Sequence, residues 1–229
     1  MIGIIGAMKP EIDGIKAIIE DKEVKIISGI EFVCGKVGGA RVVAAQSGIG
    51  KVFAAICAQT MILEYKPDAI INVGVGGTLC DKLSIGDIAV ATDVVQHDMD
   101  ISPLGDPVGL LSGINIVEIP CKSELAGKIV KAATELNIKT ETGIIASGDQ
   151  FIASPVQKEK IKNNFDAVAC EMEGGSIGHV CYVNDVDFCV IRAISDSANG
   201  EASMDYPEFM KMAAENSISV MKKFLAECE

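Results

Sequence analysis

The sequence is poor in arginine and aromatic residues and has no long apolar segment. Its only arginines are Arg41 and Arg192, it has no tryptophan, and aromatic residues make up 4% of the chain. The formal net charge is −12, which argues against nucleic acids and anionic membranes as partners because both are bound through clustered Lys and Arg. No apolar run approaches the roughly 20 residues that a membrane-spanning helix needs.

Signatures of metal and nucleotide cofactors are also missing. The eight cysteines form no CxxC pair, and no histidine lies at a zinc-ligand spacing from a cysteine. We therefore predict reduced thiols and no metal site. The chain has neither a P-loop nor a GxGxxG fingerprint, so no cofactor is expected. The first apolar stretch is too short for a signal peptide, and we expect a soluble, cytoplasmic protein.

Strands and helices alternate along the sequence without a linker or a repeat. This pattern predicts one α/β domain over residues 1–229. Turn signals at Ser28-Gly29 and Gly38-Gly39 separate three early strands as hairpins, whereas later strands alternate with helices, so we predict a mixed, twisted β-sheet surrounded by helices. The predicted strands lie near 2–6, 23–28, 31–37, 41–47, 68–73, 87–96, 115–120, 142–147, 167–172 and 187–195. The predicted helices lie near 51–65, 123–137, 155–164, 174–183 and 205–226.

Three acidic residues come directly after predicted strands. Glu173 follows the apolar segment Ala167–Met172, and Asp196 follows Cys189–Ser195. Glu11 falls in the first turn of the helix that follows the first strand. In open α/β sheets the ligand crevice lies beyond the carboxyl ends of the strands, so these three carboxyls are candidates for one site.

Other interpretations of these features stay open at this point. Asp196 is also a possible helix N-cap, and Glu11 is also a possible first-turn acid that stabilises the helix dipole. The glycine-rich segment Asn72–Thr78 resembles a phosphate-cradling loop, and Ser47–Gly50 has the same strand-to-helix placement. A tight turn is the alternative for both segments.

Six motifs follow one another along nearly the whole chain. They are Ile4–Glu11, Ser47–Lys51, Gly86-Asp87 with the strand to His97-Asp98, Ser147–Phe151, Glu171–Glu173 and Arg192–Asp196. In this order they resemble the 5'-methylthioadenosine/S-adenosylhomocysteine nucleosidases of the purine nucleoside phosphorylase superfamily. The resemblance implies a nucleoside phosphorylase-like fold. It also implies hydrolysis of 5'-methylthioadenosine, S-adenosylhomocysteine or 5'-deoxyadenosine to adenine and a 5-substituted ribose, with the nucleoside and water as partners.

The same resemblance implies a role for each of the three acids. Asp196 would donate a proton to purine N7, Glu11 would activate the water that attacks C1', and Glu173 would accept hydrogen bonds from the ribose hydroxyls. This division fits the chemistry, because cleavage builds positive charge on the sugar and negative charge on the departing base.

Further substrate contacts follow from the resemblance alone. Met172 would pack against the ribose, with Ala7 and Met8 on the ribosyl side. Adenine would stack on Phe151 and be read by the Ile152 backbone. The remaining implied role is that of Ser195, which would orient Asp196.

A homodimer is also implied by the resemblance. Ile49 and the loop near Leu104 would complete the neighbour's pocket, with Tyr206 covering the 5'-substituent.

The chain departs from the family pattern in two places. Where the family commonly carries Gly-Ser-Ala-Gly-Gly, this chain has Val75-Gly76, which removes a hydroxyl near the ribose. Leu104 stands where a pocket phenylalanine is typical, so we expect an altered preference for the 5'-substituent.

The scarcity of arginine favours hydrolysis over phosphorolysis. Phosphate clamps usually contain several arginines, and Arg192 lies within the strand that ends at Asp196, where we expect it to support the loop of that acid. Because lysines could replace arginines in a clamp, a purine nucleoside phosphorylase stays the alternative. A non-catalytic nucleoside-binding module is a third interpretation, although it would have no need of Glu11 together with Asp196.

Overall fold

The protein is built on a ten-stranded mixed sheet with helices on both faces. In this computed structural model the backbone is described for residues 1–196 and 206–228, and side chains for 1–196 and 208–228. The strands are β1 (Ile2–Gly6), β2 (Glu20–Ile27), β3 (Ile30–Val37), β4 (Ala40–Gln46), β5 (Ala69–Thr78), β6 (Ile88–Gln96), β7 (Ile119–Pro120), β8 (Thr140–Ser147), β9 (Ala169–Glu171) and β10 (Asp187–Asp196). The helices are α1 (Lys9–Ile18), α2 (Lys51–Tyr65), α3 (Ser123–Glu135), α4 (Pro155–Phe165), α5 (Gly174–Val183) and α6 (Tyr206–Ala226), with a 3₁₀ turn at Ser102–Leu104.

Five of the strands, β5, β10, β6, β8 and β9, close into a small barrel. The order β4, β1, β5 and β10 is parallel, and β2 and β3 extend the sheet beyond β4 as antiparallel strands. On the other side β10 pairs with β6, β6 with β8, β8 with β9, and β9 returns to β5. This closure brings the ends of β9 and β10 next to the second half of β5.

Alternate residues of the central strands enter two different hydrophobic clusters. In β10, Cys189 and Ile191 belong to the cluster that includes residues of α1, α3 and α6. Val190 and Ile194 belong to the cluster that includes residues of α2 and α5. Successive side chains of a strand point to opposite faces, so β10 is buried on both faces and its sequence is almost continuously apolar.

The observed fold confirms the predicted α/β class and mixed sheet, with two differences in strand limits. The strand predicted near 115–120 is reduced to β7, because the preceding residues form a local turn closed by a bridge between Leu111 and Ile116. The strand predicted near 68–73 continues to Thr78, so the glycine-rich segment lies within β5. The predicted hairpin turn at Ser28-Gly29 is confirmed, with φ angles of 54° and 76°.

The observed limits of the helices agree more closely with the limits predicted from the sequence. Both α2 and α5 have the predicted bounds, whereas the predicted start of α6 at Asp205 lies outside the described residues. Pro10 and Glu11 lie in the first turn of α1, as expected. Among the helices of the described chain, none is both long and apolar enough to cross a membrane.

Two helical glycines give opposite predictions for substitution by alanine. A Cβ at Gly178 in α5 would lie 2.7 Å from both Phe188 and Val94, so Gly178→Ala overpacks the core and should lower the free energy of unfolding by about 1–3 kcal/mol. A Cβ at the exposed Gly127 in α3 meets nothing within 4 Å, so Gly127→Ala should raise it by up to about 1 kcal/mol. Urea denaturation measures both, and equal effects would contradict this account of packing at α5.

Candidate active site

An open cavity of about 640 Å³ contains most of the predicted site residues. The predicted residues that line it are Ala7, Met8, Glu11, Ile49, Val75, Gly76, Phe151, Ile152, Met172, Glu173, Ser195 and Asp196. Leu104 is 81% exposed and does not line the cavity. The side chain of Tyr206 lies outside the described residues. Four lining residues were missed from the sequence, namely Gly77, Gln150, Cys170 and Glu171.

Glu11 is buried and held by three backbone amides. The N–H groups of Ala7 and Met8 donate to its Oε2 at 2.9 and 2.7 Å, and the N–H of Val75 donates to Oε1 at 3.0 Å. Burial raises the pKa of Glu11, although Arg192 and these amides lower it in part. The bond from Val75 joins α1 to β5 across the cavity, which a simple helix-dipole role would not require.

The glycines of β5 make room for the acids. A Cβ at Gly74 would lie 2.8 Å from Oε1 of Glu11, and a Cβ at Gly77 would lie 2.8 Å from Oδ2 of Asp196. Neither a phosphate-cradling loop nor a tight turn is found here, because both glycines belong to an extended strand. The glycine-rich pattern therefore reflects close approach of carboxyl groups to the backbone.

A buried ion pair supports the floor of the cavity. Arg192 donates from Nη2 to Glu171 in a very short contact and to Asn72 Oδ1 at 2.5 Å. Glu171 also accepts bonds from the Ser147 hydroxyl and from the N–H of Glu173, the latter at 2.9 Å. Burial acts to raise the pKa of Glu171, but Arg192 and these hydrogen bonds outweigh it and hold the pKa below its usual range.

Glu173 lies two residues away in a different electrostatic environment. The N–H of Gly50 donates to its Oε1 at 2.8 Å, and Arg192 Nη2 lies 3.8 Å from its Oε2. Gly50 has a φ of 96°, a conformation that favours glycine at this contact. Burial, and then the charge of Glu171, raise the pKa of Glu173 to about 7. Two nearby carboxyls thus differ in proton affinity because only one of them is fully paired with the arginine.

The cation next to Asp196 is a lysine that the sequence analysis missed. Lys158 Nζ lies 3.1 Å from Oδ2 of Asp196, and the Ser195 hydroxyl lies 3.3 Å from Oδ1. The expectation that Arg192 supports the loop of Asp196 is wrong, because the side chain of Arg192 instead contacts Glu171, Glu173, Asn72 and the Ile191 carbonyl. The helical spacing of Lys158, Ile161 and Phe165 could have indicated that this lysine is buried, because the three residues share one face of α4.

The cavity offers acids and backbone groups but few cations. Among the described residues that line it there are four carboxyls and no lysine or arginine. No cluster of His, Cys, Asp and Glu in the described chain has the arrangement of a metal site. Such a lining suits a neutral ligand on which positive charge develops.

The chain is similar to known proteins over almost its whole length. The model of the phosphorylase superfamily matches residues 1–226. A 5'-methylthioadenosine/S-adenosylhomocysteine nucleosidase of Shewanella pealeana is 41% identical over 218 residues, which is 94% of each chain.

Two solved structures illustrate how similar the fold is. The nucleosidase of the same name from Neisseria meningitidis, in complex with methylthio-immucillin-A, superposes with a TM-score of 0.93 at 32% identity and 98% coverage of both chains. A futalosine hydrolase from Helicobacter pylori superposes with a TM-score of 0.93 at 36% identity, covering 99% of this chain and 97% of its own.

The raised pKa of Glu173 predicts how stability depends on pH. Between about pH 4.5 and pH 7 the folded protein binds more protons at Glu173 than the unfolded chain does, so this group's contribution to stability falls as pH rises through that window. Glu173→Gln removes the contribution. The free energy of unfolding of the variant relative to wild type should therefore rise from pH 5 to pH 8, by about 1.4 kcal/mol per unit of pKa shift at most.

Urea denaturation at several pH values measures this difference. Glu159→Gln, at an exposed position on α4, is the matched control and should give a curve parallel to that of wild type. A parallel curve for Glu173→Gln would contradict the assigned pKa.

Proposed function

Because the chain belongs to the phosphorylase superfamily and, within it, to the 5'-methylthioadenosine/S-adenosylhomocysteine nucleosidase family, we propose that it hydrolyses the N-glycosidic bond of 5'-thio-substituted adenine nucleosides. The protein is an N-glycosyl hydrolase, and its products are adenine and the 5-substituted ribose. Methylthioadenosine, S-adenosylhomocysteine and 5'-deoxyadenosine are the candidate substrates. The observation that carries the proposal is the convergence of Glu11, Glu173 and Asp196 on one cavity.

Each acid has a task that its surroundings support. Glu11 activates the water that attacks C1', and its raised pKa makes it a better base than an exposed glutamate. Glu173 binds the ribose hydroxyls. Asp196 delivers a proton to purine N7 as the C1'–N9 bond breaks, and the electron pair of that bond leaves with adenine. The carboxylates stabilise the positive charge that builds on the ribose.

The lining side chains supply the remaining substrate contacts of the proposal. Met172, Ala7 and Met8 face the ribosyl group, whereas the half-exposed Phe151 stacks on adenine and the buried Ile152 presents its backbone to the adenine edge. Val75 places an apolar group where relatives commonly carry a hydroxyl.

Hydrolysis is favoured over phosphorolysis by the charge of the cavity. Phosphate would enter a space lined by four carboxyls and, among the described residues, by no cation. Arg192 is already held by Glu171 and Asn72 behind that lining. A neutral water meets no such barrier. A purely binding role is disfavoured because ribose recognition has no use for a buried Glu11.

We also propose that the enzyme is a homodimer, which the exposed residues near the cavity support. Ile49, Val52, Phe53 and Ile56 are between 41% and 69% exposed at the start of α2, and Ile49 lines the cavity as well. Exposed apolar patches of this kind are typical of interaction surfaces. In the dimer Ile49 and the loop near Leu104 complete the neighbour's pocket, and Tyr206, whose side chain lies outside the described residues, covers the 5'-substituent. Action in the cytoplasm stays a prediction from the sequence.

Adenine release from 5'-methylthioadenosine in phosphate-free buffer tests the proposed reaction. Wild type should turn over without phosphate, and Asp196→Asn and Glu11→Gln should each lower kcat by about 10²- to 10⁴-fold. Asp81→Asn, at an exposed position outside the cavity, is the control and should retain full activity. Turnover that depends on added phosphate would establish the phosphorylase instead, and tight binding without release would establish the binding module.

Replacing an exposed apolar residue of α2 by a charge tests the dimer. Phe53→Glu should convert a dimer to a monomer in sedimentation experiments and raise KM, because each pocket loses the residues of its neighbour. Ile26→Glu, at an exposed isoleucine on strand β2, should leave both unchanged. A wild-type monomer with full activity would refute the shared pocket.

A further inference from the structure

Lys158 is buried although its helix looks like a surface helix. Its residue is 5% exposed, whereas Lys160 and Lys162 on the same helix are exposed. Lys158, Ile161 and Phe165 follow the helical period and form the inward face of α4. A buried ammonium is costly unless it is paired, so the burial of Lys158 requires an explanation.

One partner of this lysine is the acid that the reaction needs. Lys158 Nζ lies 3.1 Å from Asp196 Oδ2, and the two side chains are only 6% and 10% exposed. The pair is enclosed between α4 and the end of β10, where Gly77 of β5 approaches Asp196 closely. It thus lies in a place where water screens the attraction weakly.

The other groups around Asp196 do not supply a second positive charge in the described chain. The Ser195 hydroxyl approaches its Oδ1 from β10, and the Cys170 thiol of β9 interacts electrostatically with both Asp196 and Lys158. The remaining ionisable groups that line the same cavity are carboxyls, those of Glu11, Glu171 and Glu173. Lys158 therefore dominates the favourable electrostatic environment of the Asp196 carboxylate.

This arrangement conflicts with the role of Asp196 as a proton donor unless the pair has a function of its own. An ammonium at 3.1 Å stabilises the carboxylate form, whereas donation to N7 requires the carboxylic acid. The ion pair therefore suits the carboxylate that Asp196 becomes once it has delivered its proton. A new proton must reach Asp196 in each turnover.

We propose that Lys158 is a positioning residue that acts through Asp196 by stabilising the carboxylate that this general acid becomes when it gives up its proton. The inference rests on the proposed nucleosidase function. As substrate binds, Asp196 takes a proton from solvent. It then passes that proton to N7 while the C1'–N9 electron pair goes to adenine, and the attacking water gives its proton to Glu11. The carboxylate formed on Asp196 regains the ion pair with Lys158, which lowers the energy of the state reached by proton transfer.

The proposal predicts that Lys158 matters only where the reaction depends on proton transfer from Asp196. A leaving group that must be protonated at N7 needs the ion pair that re-forms as the proton leaves, whereas a leaving group that departs as an anion does not. Lys158→Met, which keeps the volume and the buried position, removes this stabilisation.

The first test is kcat/KM for 5'-methylthioadenosine. In Lys158→Met it should fall by about tenfold or more, as expected for loss of a charge-assisted hydrogen bond to the carboxylate that forms. Lys158→Arg should keep most of the wild-type value, and Lys160→Met, at an exposed lysine two residues away, should not change it.

A second substrate separates this role from a structural one. A 4-nitrophenyl riboside has a leaving group that needs no protonation, so its hydrolysis should be equally insensitive to Lys158→Met and Asp196→Asn. Thermal unfolding of each variant identifies those that do not fold. If Lys158→Met folds poorly, Lys158→Gln replaces it in both comparisons, because it keeps a hydrogen-bond donor for Asp196 but carries no charge.

The outcomes are distinguishable from failure of the proposed function. If wild type releases no adenine, the nucleosidase proposal fails, and this inference fails with it. If wild type is active, Asp196→Asn is inactive and Lys158→Met keeps the wild-type kcat/KM for 5'-methylthioadenosine, only the role of Lys158 is overturned. Equal losses with both substrates would reduce the pair to a structural link between α4 and β10.

Discussion

The buried ion pair between Arg192 and Glu171 is the interaction on which the cavity depends. Arg192 is 1% exposed and joins three strands, since it lies on β10, pairs with Glu171 of β9 and bonds to Asn72 of β5. Desolvating both ions is costly, and the several hydrogen bonds around the pair offset that cost. Arg192 forms its close ion pair with Glu171 and only a longer contact with Glu173. Burial and the charge of Glu171 therefore raise the pKa of Glu173, which keeps a proton at pH values where ordinary glutamates are ionised.

The reaction follows from this separation of charges. The family assignment gives the class of substrate, and the lining of the cavity gives the preference for water over phosphate. A departing purine and a ribose with growing positive charge need a proton donor on one side and carboxylates on the other. In the proposed mechanism the carboxyls of the cavity meet both needs.

The parts of the site that could be predicted from the sequence are those encoded locally. Glu11, Glu173 and Asp196 each follow an apolar segment, and that pattern was enough to group them. The strand direction was not encoded in this way, because β9 runs antiparallel to β5 and meets it only where β5 continues to Thr78. Barrel closure, a tertiary property, determines that meeting point.

The pairing of Lys158 could not be predicted for a similar reason. The helical period places Lys158 on the inward face of α4 with Ile161 and Phe165, but it does not tell which acid on another element the lysine reaches. The partners of Arg192 were assigned wrongly because the strand order around β10 decides which acid the guanidinium reaches. Side-chain pairing between distant segments is determined by the tertiary fold, which a local sequence pattern does not predict.

The glycines of β5 also limit how the enzyme can change over evolution or in the laboratory. Any side chain at Gly74 or Gly77 would intrude on the Glu11 or Asp196 carboxyl, so libraries that randomise these positions should consist mostly of inactive members. Val75, between them, bears a half-buried side chain that lines the cavity without such a clash. New substrate ranges are therefore more accessible through this one residue of the strand, while its neighbours stay closed to variation.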